Sequence, residues 1–235
     1  MLTLILAESA LETVPQELWR QPAVKRSSER RRKQSKFIIL DRSLHHSAMK
    51  TLKDGEKRGR PDIVHLSLLE ALGSPLNKEG LLKVYVHTFN DYVISVSPQT
   101  RLPRNYNRFI GLMEQLFEYG RAPPRGMPLL TMEKRSFSGL VEIIKPTYII
   151  AFSRIGKPAI LDETISNLIN EENLLAIVGG FPSGHFTEAI QSLADEVLCI
   201  DPEMLEAWTI VSRLIYEYER AFTLPRKRIE MIIEK

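Results

Sequence analysis

Apolar residues first appear as two short unbroken runs, Leu2-Thr3-Leu4-Ile5-Leu6 and Phe37-Ile38-Ile39-Leu40. Branched apolar residues without polar alternation mark strands covered on both faces. After Leu40 a helix through Leu44 to Leu52 fits the pattern. Pro61 then stands where the first residue of a helix tolerates proline, opening a helix through His65, Leu68, Leu69 and Leu72. Val84-Tyr85-Val86 and Tyr92-Val93-Ile94 flank the polar pair Asn90-Asp91, which predicts a hairpin. From Asn105, Phe109, Leu112, Met113 and Leu116 recur at helical spacing up to Gly120, and Ala122-Pro123-Pro124-Arg125-Gly126 forces a loop, the most natural boundary in the chain.

Beyond that loop the pattern alternates: strand Tyr148 to Phe152, helix Glu163 to Ile169, strand Leu174 to Val178, helix Thr187 to Leu193, strand Val197 to Ile200. Such alternation implies parallel strands joined by crossover helices, an α/β class. A last helix is predicted with Asp201 as cap, Pro202 in its first turn, and Leu205, Trp208, Val211, Leu214, Ile215 and Tyr218 along one stripe. At roughly 1.5 Å per residue it would run about 30 Å.

Charge changes this picture more than composition does. The 235 residues are 43% hydrophobic and 26% charged, ordinary for a globular protein, and 1–235 reads as a single domain. Arg20 to Arg60, however, holds 14 of the 32 lysines and arginines but only 4 of the 29 acidic residues. Outside it the balance is 18 basic to 25 acidic, so a net charge of +3 conceals a basic stretch on an acidic body. That asymmetry suits a polyanionic partner. Its insertion, 20–36, has a core from Lys25 to Lys36 with Arg30-Arg31-Arg32-Lys33 and almost no apolar residue, which predicts an exposed arm or loop. The apolar N-terminus stops at Glu8, too short for a signal peptide or a membrane span, and the expectation is a cytoplasmic protein with no membrane partner. The single Cys199 excludes an internal disulfide and a multi-cysteine zinc site, and reads as a small buried residue.

The segment Ile177-Val178-Gly179-Gly180-Phe181-Pro182-Ser183-Gly184-His185-Phe186 is a strand that ends in a glycine-rich turn. Gly179 and Gly184 match the glycine spacing of a triphosphate loop, but His185-Phe186 stands where that loop needs lysine and serine or threonine. The dinucleotide fingerprint lacks its third glycine, and Ser183 lacks the glycines of a hydrolase elbow. What remains is a turn at the carboxyl end of a parallel strand, where open α/β sheets bind ligands. Two further strand ends, Ala151 to Pro158 and Ile200 to Leu205, fall on the same edge. Three such loops, without a metal cluster or a phosphate clamp, suit an adenosine and a sulfonium better than a polyphosphate.

Arginines make a second constellation. Arg101, Arg104 and Arg108 lie three and four apart around the predicted helix start at Asn105, and grouped guanidinium groups favour phosphate. Arg60 sits at a helix start, where the dipole disfavours a cation, so it needs a carboxylate or an anionic ligand, and Asp62 is within local reach. A structural Arg60–Asp62 pair is one reading; an Arg60 held extended towards an RNA base or phosphate is the other. The five histidines show no metal-ligand spacing, so no metal is expected; His45-His46 reads as helix surface and His65 as a partly buried, satisfied histidine.

Five motifs in one order carry a resemblance: Arg60-Pro61-Asp62-Ile63-Val64-His65, Ser74-Pro75-Leu76-Asn77-Lys78, Val84-Tyr85-Val86-His87-Thr88, Arg101-Leu102-Pro103-Arg104-Asn105-Tyr106-Asn107-Arg108-Phe109, and Gly111-Leu112-Met113. With them the chain resembles, over nearly its whole length, the ribosome-biogenesis pseudouridine methyltransferases of the SPOUT class, in an archaeal form. The resemblance implies a parallel sheet with a C-terminal trefoil knot, a β-hairpin and helical insertion, and a knotted cofactor-binding half over 128–235. It also implies S-adenosyl-L-methionine as cofactor, held by Gly179, Gly180, Gly184 and the stretch Ile200, Asp201, Pro202, Glu203, Met204, Leu205. By the same resemblance, Arg60 contacts small-subunit ribosomal RNA with Asp62 steadying it, Arg101, Arg104 and Arg108 bind RNA, and the protein is a homodimer. The basic arm looks longer than the family core requires, so no role is carried over to it.

The implied reaction is attack of a pseudouridine nitrogen-1 on the sulfonium methyl, with Arg60 stabilising charge on the base and Asp62 orienting it. No general base is assigned, because a carboxylate paired with arginine is a poor proton acceptor. The alternative is an assembly factor that binds pre-ribosomal RNA and for which methylation is minor or absent; a transfer-RNA methyltransferase of the same class fits the motifs less well.

Overall fold

The computed structural model describes residues 1–233, and its eight strands among those residues form one sheet. They are β1 (Leu2–Ser9), β2 (Leu82–Thr88), β3 (Tyr92–Val96), β4 (Arg121–Ala122), β5 (Leu130–Lys134), β6 (Tyr148–Pro158), β7 (Leu174–Gly179) and β8 (Glu196–Cys199), in the order β4-β5-β3-β2-β1-β7-β6-β8. The helices are α1 (Pro22–Arg31), α2 (Arg42–His45), α3 (Pro61–Gly73), α4 (Pro75–Lys78), α5 (Tyr106–Tyr119), α6 (Phe137–Ile144), α7 (Leu161–Leu168), α8 (Glu188–Gln191), α9 (Ala207–Ala221) and α10 (Leu224–Ile233).

Strands β7, β6 and β8 are parallel, as the alternating pattern predicts, and β1 and β2 join them in the same direction, a pairing the pattern does not give. Their unbroken apolar runs follow from burial on both faces. Leu2, Leu4 and Leu6 of β1 with Leu174, Ala176 and Val178 of β7 enter one core, which α3, α5 and α9 cover. Ile5, Ala7, Leu175 and Ile177 enter the other, under α6 and α8. The hairpin of β2 and β3 forms as the pattern predicts, and β5 and β4 extend it antiparallel. The loop at 122–126 therefore does not separate two bodies: β4 and β5 flank it and both remain in the sheet.

Three readings of the pattern fail for identifiable reasons. Phe37 to Leu40 is no strand; a single bridge, Thr13 to Ile39, is all its pairing, and Ile38 and Leu40 instead fill a satellite core with Val14, Leu18, Val24, Ala48, Met49 and Leu52. The basic arm is a helix rather than an exposed loop. α1 starts at Pro22 and buries Ala23, Val24 and Ser27 at helical spacing, a stripe too thin to stand out among the charges. The helix expected over Leu44 to Leu52 is only the short α2 followed by tight turns, and His45 is fully buried, not on the surface.

Candidate active site

The carboxyl ends of the parallel strands share one edge, and β1 lies where the chain's path divides, with β2 on one side and β7 on the other. Open sheets form crevices at such points. On the β7 side of that point, beyond the ends of β6, β7 and β8, a cavity of about 340 Å³ opens, within the range of small-ligand pockets. Its wall comes from the three predicted loops: Phe152, Ser153 and Arg154 after the straight part of β6; Gly179 and Phe181 to Phe186 after β7; Leu198 to Asp201 and Glu203 to Ala207 after β8. Arg60 and Ile63 of the α3 start and Ile210 of α9 close it.

Of the nine positions predicted for a cofactor, Gly179, Gly184, Ile200, Asp201, Glu203, Met204 and Leu205 line this cavity. Gly180 and Pro202 do not. Gly180 faces the end of β1: its N–H donates to the Ala7 carbonyl and its own carbonyl accepts from Ala10, and a Cβ there would lie 2.1 Å from Ser9 Oγ. Its lack of a side chain serves strand packing. Gly184 has φ +91°, a backbone conformation that glycine adopts without strain.

Asp201 is not a helix cap. α9 begins at Ala207 after Glu206, and at 15 residues it spans about 22 Å rather than 30 Å. The Asp201 carboxylate accepts from the Glu203 N–H (2.9 Å) and meets Arg213 of α9 at 3.4 Å, so its hydrogen-bonding capacity folds the 201–206 loop instead. Cys199, expected to be a buried core residue, is half-buried at the cavity wall, its thiol donating to the Asp201 carbonyl.

Arg60 precedes Pro61 at the N-terminus of α3, with its N–H bonded to the Ala10 carbonyl. Its guanidinium donates to Asp62 through Nε (2.8 and 3.1 Å) and a terminal nitrogen (2.8 Å), and those hydrogen bonds raise its pKa further. Arg60 lines the cavity and Asp62 does not, so the carboxylate stands behind the guanidinium. Glu206 at the cavity and Tyr106 at the start of α5 lie within electrostatic reach of Arg60. Tyr106 is a neighbour that the sequence does not announce. Its hydroxyl donates to Asp41 (2.6 Å); burial first, and then this bond, raises the phenol far above its ordinary 10, so it stays protonated. No sequence signal joins residues 41 and 106, which meet only in the fold.

Arg101, Arg104 and Arg108 are exposed, and none has a carboxylate within salt-bridge distance among the described residues. Asn105 caps α5 by accepting from the Arg108 N–H, so Arg104 lies outside the helix and only Arg108 takes its direction from helical geometry. Buried His65 donates to the Pro103 carbonyl at 2.7 Å, tying this arginine segment to α3 five residues from Arg60, and it stacks on Phe109. Among the described residues no His, Cys, Asp and Glu cluster could hold a metal ion, and no helix is long and apolar enough to cross a membrane.

Comparison with known proteins gives the family and the fold. The family model described as EMG1/NEP1 methyltransferase matches residues 4–219. A ribosomal RNA small subunit methyltransferase Nep1 of Staphylothermus marinus is 46% identical over 224 residues, covering 95% of this chain and 97% of its own length. The protein of the same name from Thermococcus kodakarensis is 46% identical over 227 residues, covering 95% and 100%. The crystal structure of Archaeoglobus fulgidus Nep1 bound to S-adenosylhomocysteine superposes with a TM-score of 0.83 at 38% identity, covering 94% of this chain and 98% of that one.

Proposed function

The chain belongs to the EMG1/NEP1 methyltransferase family, and from that premise we propose that it methylates nitrogen-1 of a pseudouridine in small-subunit ribosomal RNA with S-adenosyl-L-methionine. The observation that carries the reading is the convergence of three strand-end loops on one cavity into which Arg60 projects. The residues present fit the cofactor. Apolar Phe152, Leu198, Leu205 and Ile210 suit a nucleoside ring, and acidic Asp201, Glu203 and Glu206 opposite basic Arg60 and Arg154 suit a ligand carrying charges of both signs. Gly179, Gly184, Ile200, Asp201, Glu203, Met204 and Leu205 would hold it. When bound it supplies an electrophilic methyl group on a sulfonium.

The chain's own part is positioning and electrostatics. Arg60, kept flat and extended by Asp62, faces the place where a base would enter and stabilises negative charge as nitrogen-1 loses its proton. Asp62 has both oxygens engaged by Arg60 and acts as orienter rather than base. Arg101, Arg104 and Arg108 grip phosphates flanking an extruded base. The exposed Lys25, Arg26 and Arg30 of α1 extend that cationic surface.

A homodimer belongs to the same reading: exposed Ile155, Ile160 and Met204 near the β6–β8 edge offer apolar surface to a second copy. So does a trefoil knot within 128–235, supported by the order β7-β6-β8, in which the chain leaving β7 returns past β6 before pairing with it. A ribosomal RNA substrate and a lone thiol suit the cytoplasm. The test is transfer of a labelled methyl group to short RNA hairpins carrying uridine or pseudouridine at the target. Label in the pseudouridine hairpin alone is the expected result; none in either overturns the reading.

A further inference from the structure

The tight turn shortly before α3 touches the cofactor loop from behind. Lys57 ends the tight turn Gly55–Lys57, and its ammonium donates to the His185 carbonyl, lies 4.8 Å from the centre of the Phe181 ring and 3.6 Å from Glu8 Oε2. Lys57 does not line the cavity, whereas the loop residues it holds, Phe181 to His185, all do. A Cβ on Gly184 would lie 2.8 Å from Lys57 Cε, so the absence of a side chain at 184 lets the lysine stem pack on the loop backbone. Beside it, Ser183 Oγ donates to the Glu56 carbonyl at 3.1 Å. Most surface lysines roam; this one is fixed by a carbonyl, a carboxylate and an aromatic face together.

Glu8 is unusual in its own right. One residue before the end of β1 it takes φ +48°, a left-handed conformation disfavoured for a residue with a Cβ, and it is buried. That backbone turn directs its carboxylate sideways to the cofactor loop, where Oε1 accepts from the Thr187 N–H at 3.0 Å while Oε2 faces Lys57. Strained backbone persists where surrounding contacts impose it: here the Glu8 N–H is held by His87 of β2 at 3.4 Å, and the carboxylate by the loop that forms the cavity wall and by Lys57.

The same short segment carries Arg60. Arg58 is locked to Glu12 by two hydrogen bonds of 2.6 Å, and Arg60 N–H bonds the Ala10 carbonyl. Lys57 and Arg60 are thus mounted on one anchored stretch, one against the donor's loop and one at the acceptor's side of the cavity. We propose that Lys57, seated by Glu8, is a positioning residue that holds the Phe181–Thr187 loop in the shape that binds the methyl donor; this rests on the function proposed above.

Calorimetric titration of S-adenosylhomocysteine into the purified full chain tests it, beside donor and RNA KM values and RNA-hairpin affinity. Lys57→Met keeps the stem and removes the charge; it should weaken nucleoside binding about tenfold, a loss in the range of one charge-assisted hydrogen bond. Donor KM should rise in step, with RNA affinity and RNA KM unchanged. Lys57→Arg should recover most of the loss. Glu8→Gln, which keeps the bond from Thr187 but not the charge, should show the same selective effect in smaller measure and serves if Lys57→Met does not fold. Unchanged nucleoside affinity in either variant would overturn the proposal, as would equal losses of donor and RNA binding that Lys57→Arg does not recover. If the unaltered chain bound no nucleoside, the proposed function would fall instead.

Discussion

Arg60 occupies a helix start, a position that the backbone dipole makes unfavourable for a cation, and Asp62 compensates with three hydrogen bonds from two residues away. The pair holds the guanidinium at the cavity without filling it. Replacing Arg60 by alanine should therefore lower single-turnover methyl transfer about a hundredfold, the usual scale for removing one charge-stabilising donor. Affinity for S-adenosylhomocysteine, read by calorimetry, should stay near that of the unaltered protein; equal loss of both would mean that Arg60 holds the cofactor rather than the base. The neighbouring glycines divide differently from their spacing. Gly180→Ala would push a methyl group to 2.1 Å from Ser9 Oγ and should cost about 1–3 kcal/mol of stability by overpacking, seen as a lower Tm. A variant as stable as the original would show that the β1 end yields freely.

Helix α1 shows how an element can hide in a charge run. Its inner face buries Ala23, Val24 and Ser27, of which Val24 joins the satellite core, and Arg31 and Lys33 pair with the buried Glu114 of α5 at 3.2 and 3.5 Å. Buried His45 joins α1 to α2. Its Nδ1 accepts the Asp41 N–H at 3.1 Å and its Nε2 meets Ser27 Oγ at 3.0 Å, and because a backbone amide can only donate, the ring must be neutral. Burial lowers its pKa from the ordinary 6.5. His87 is held likewise between the Glu8 N–H and Asp91, and burial lowers its pKa too. In both cases the unfolded chain binds the proton more readily, so their contribution to stability is complete above about pH 6.5 and is lost as pH falls through the lowered folded values. Thermal unfolding should show Tm dropping on acidification below pH 6.5, and His45→Gln should flatten that slope; an unaltered slope would place the loss on the carboxylates instead.

At the scale of the whole molecule, five parallel strands deliver their carboxyl ends to one edge, and the antiparallel extension on the other side of β1 carries the chain to the Arg101, Arg104 and Arg108 segment. His65 then ties that segment back to α3 near Arg60. The strand-end cavity and a cationic surface lie on either side of the α3 start in consequence. Substituting alanine at all three arginines should weaken RNA-hairpin binding. The slope of log affinity against log salt should become shallower by about 0.7 for each single-strand phosphate that the protein no longer neutralises. Filter binding between low and moderate salt reads this directly, and an unchanged slope would put the phosphate-binding groups elsewhere.

What was legible in the sequence was whatever short-range chemistry settles. The doubly buried strands β1 and β7, the hairpin, α3 behind Pro61 and α5 between Asn105 and Gly120 follow from local periodicity and capping, and three strand-end loops on one edge follow from parallel alternation. The Arg60–Asp62 pair, two residues apart, is equally local. Tertiary structure alone decided which of two permitted local states wins: Asp201 has the chemistry of a helix cap and spends it folding a loop, and Phe37 to Leu40 has the composition of a strand and packs instead against α1. It also decided every partnership between distant positions, Tyr106 with Asp41, Gly180 with Ser9, Lys57 with His185 and Glu8. Such pairings depend on which surfaces the sheet brings together, and no periodicity along the chain encodes a distance across it.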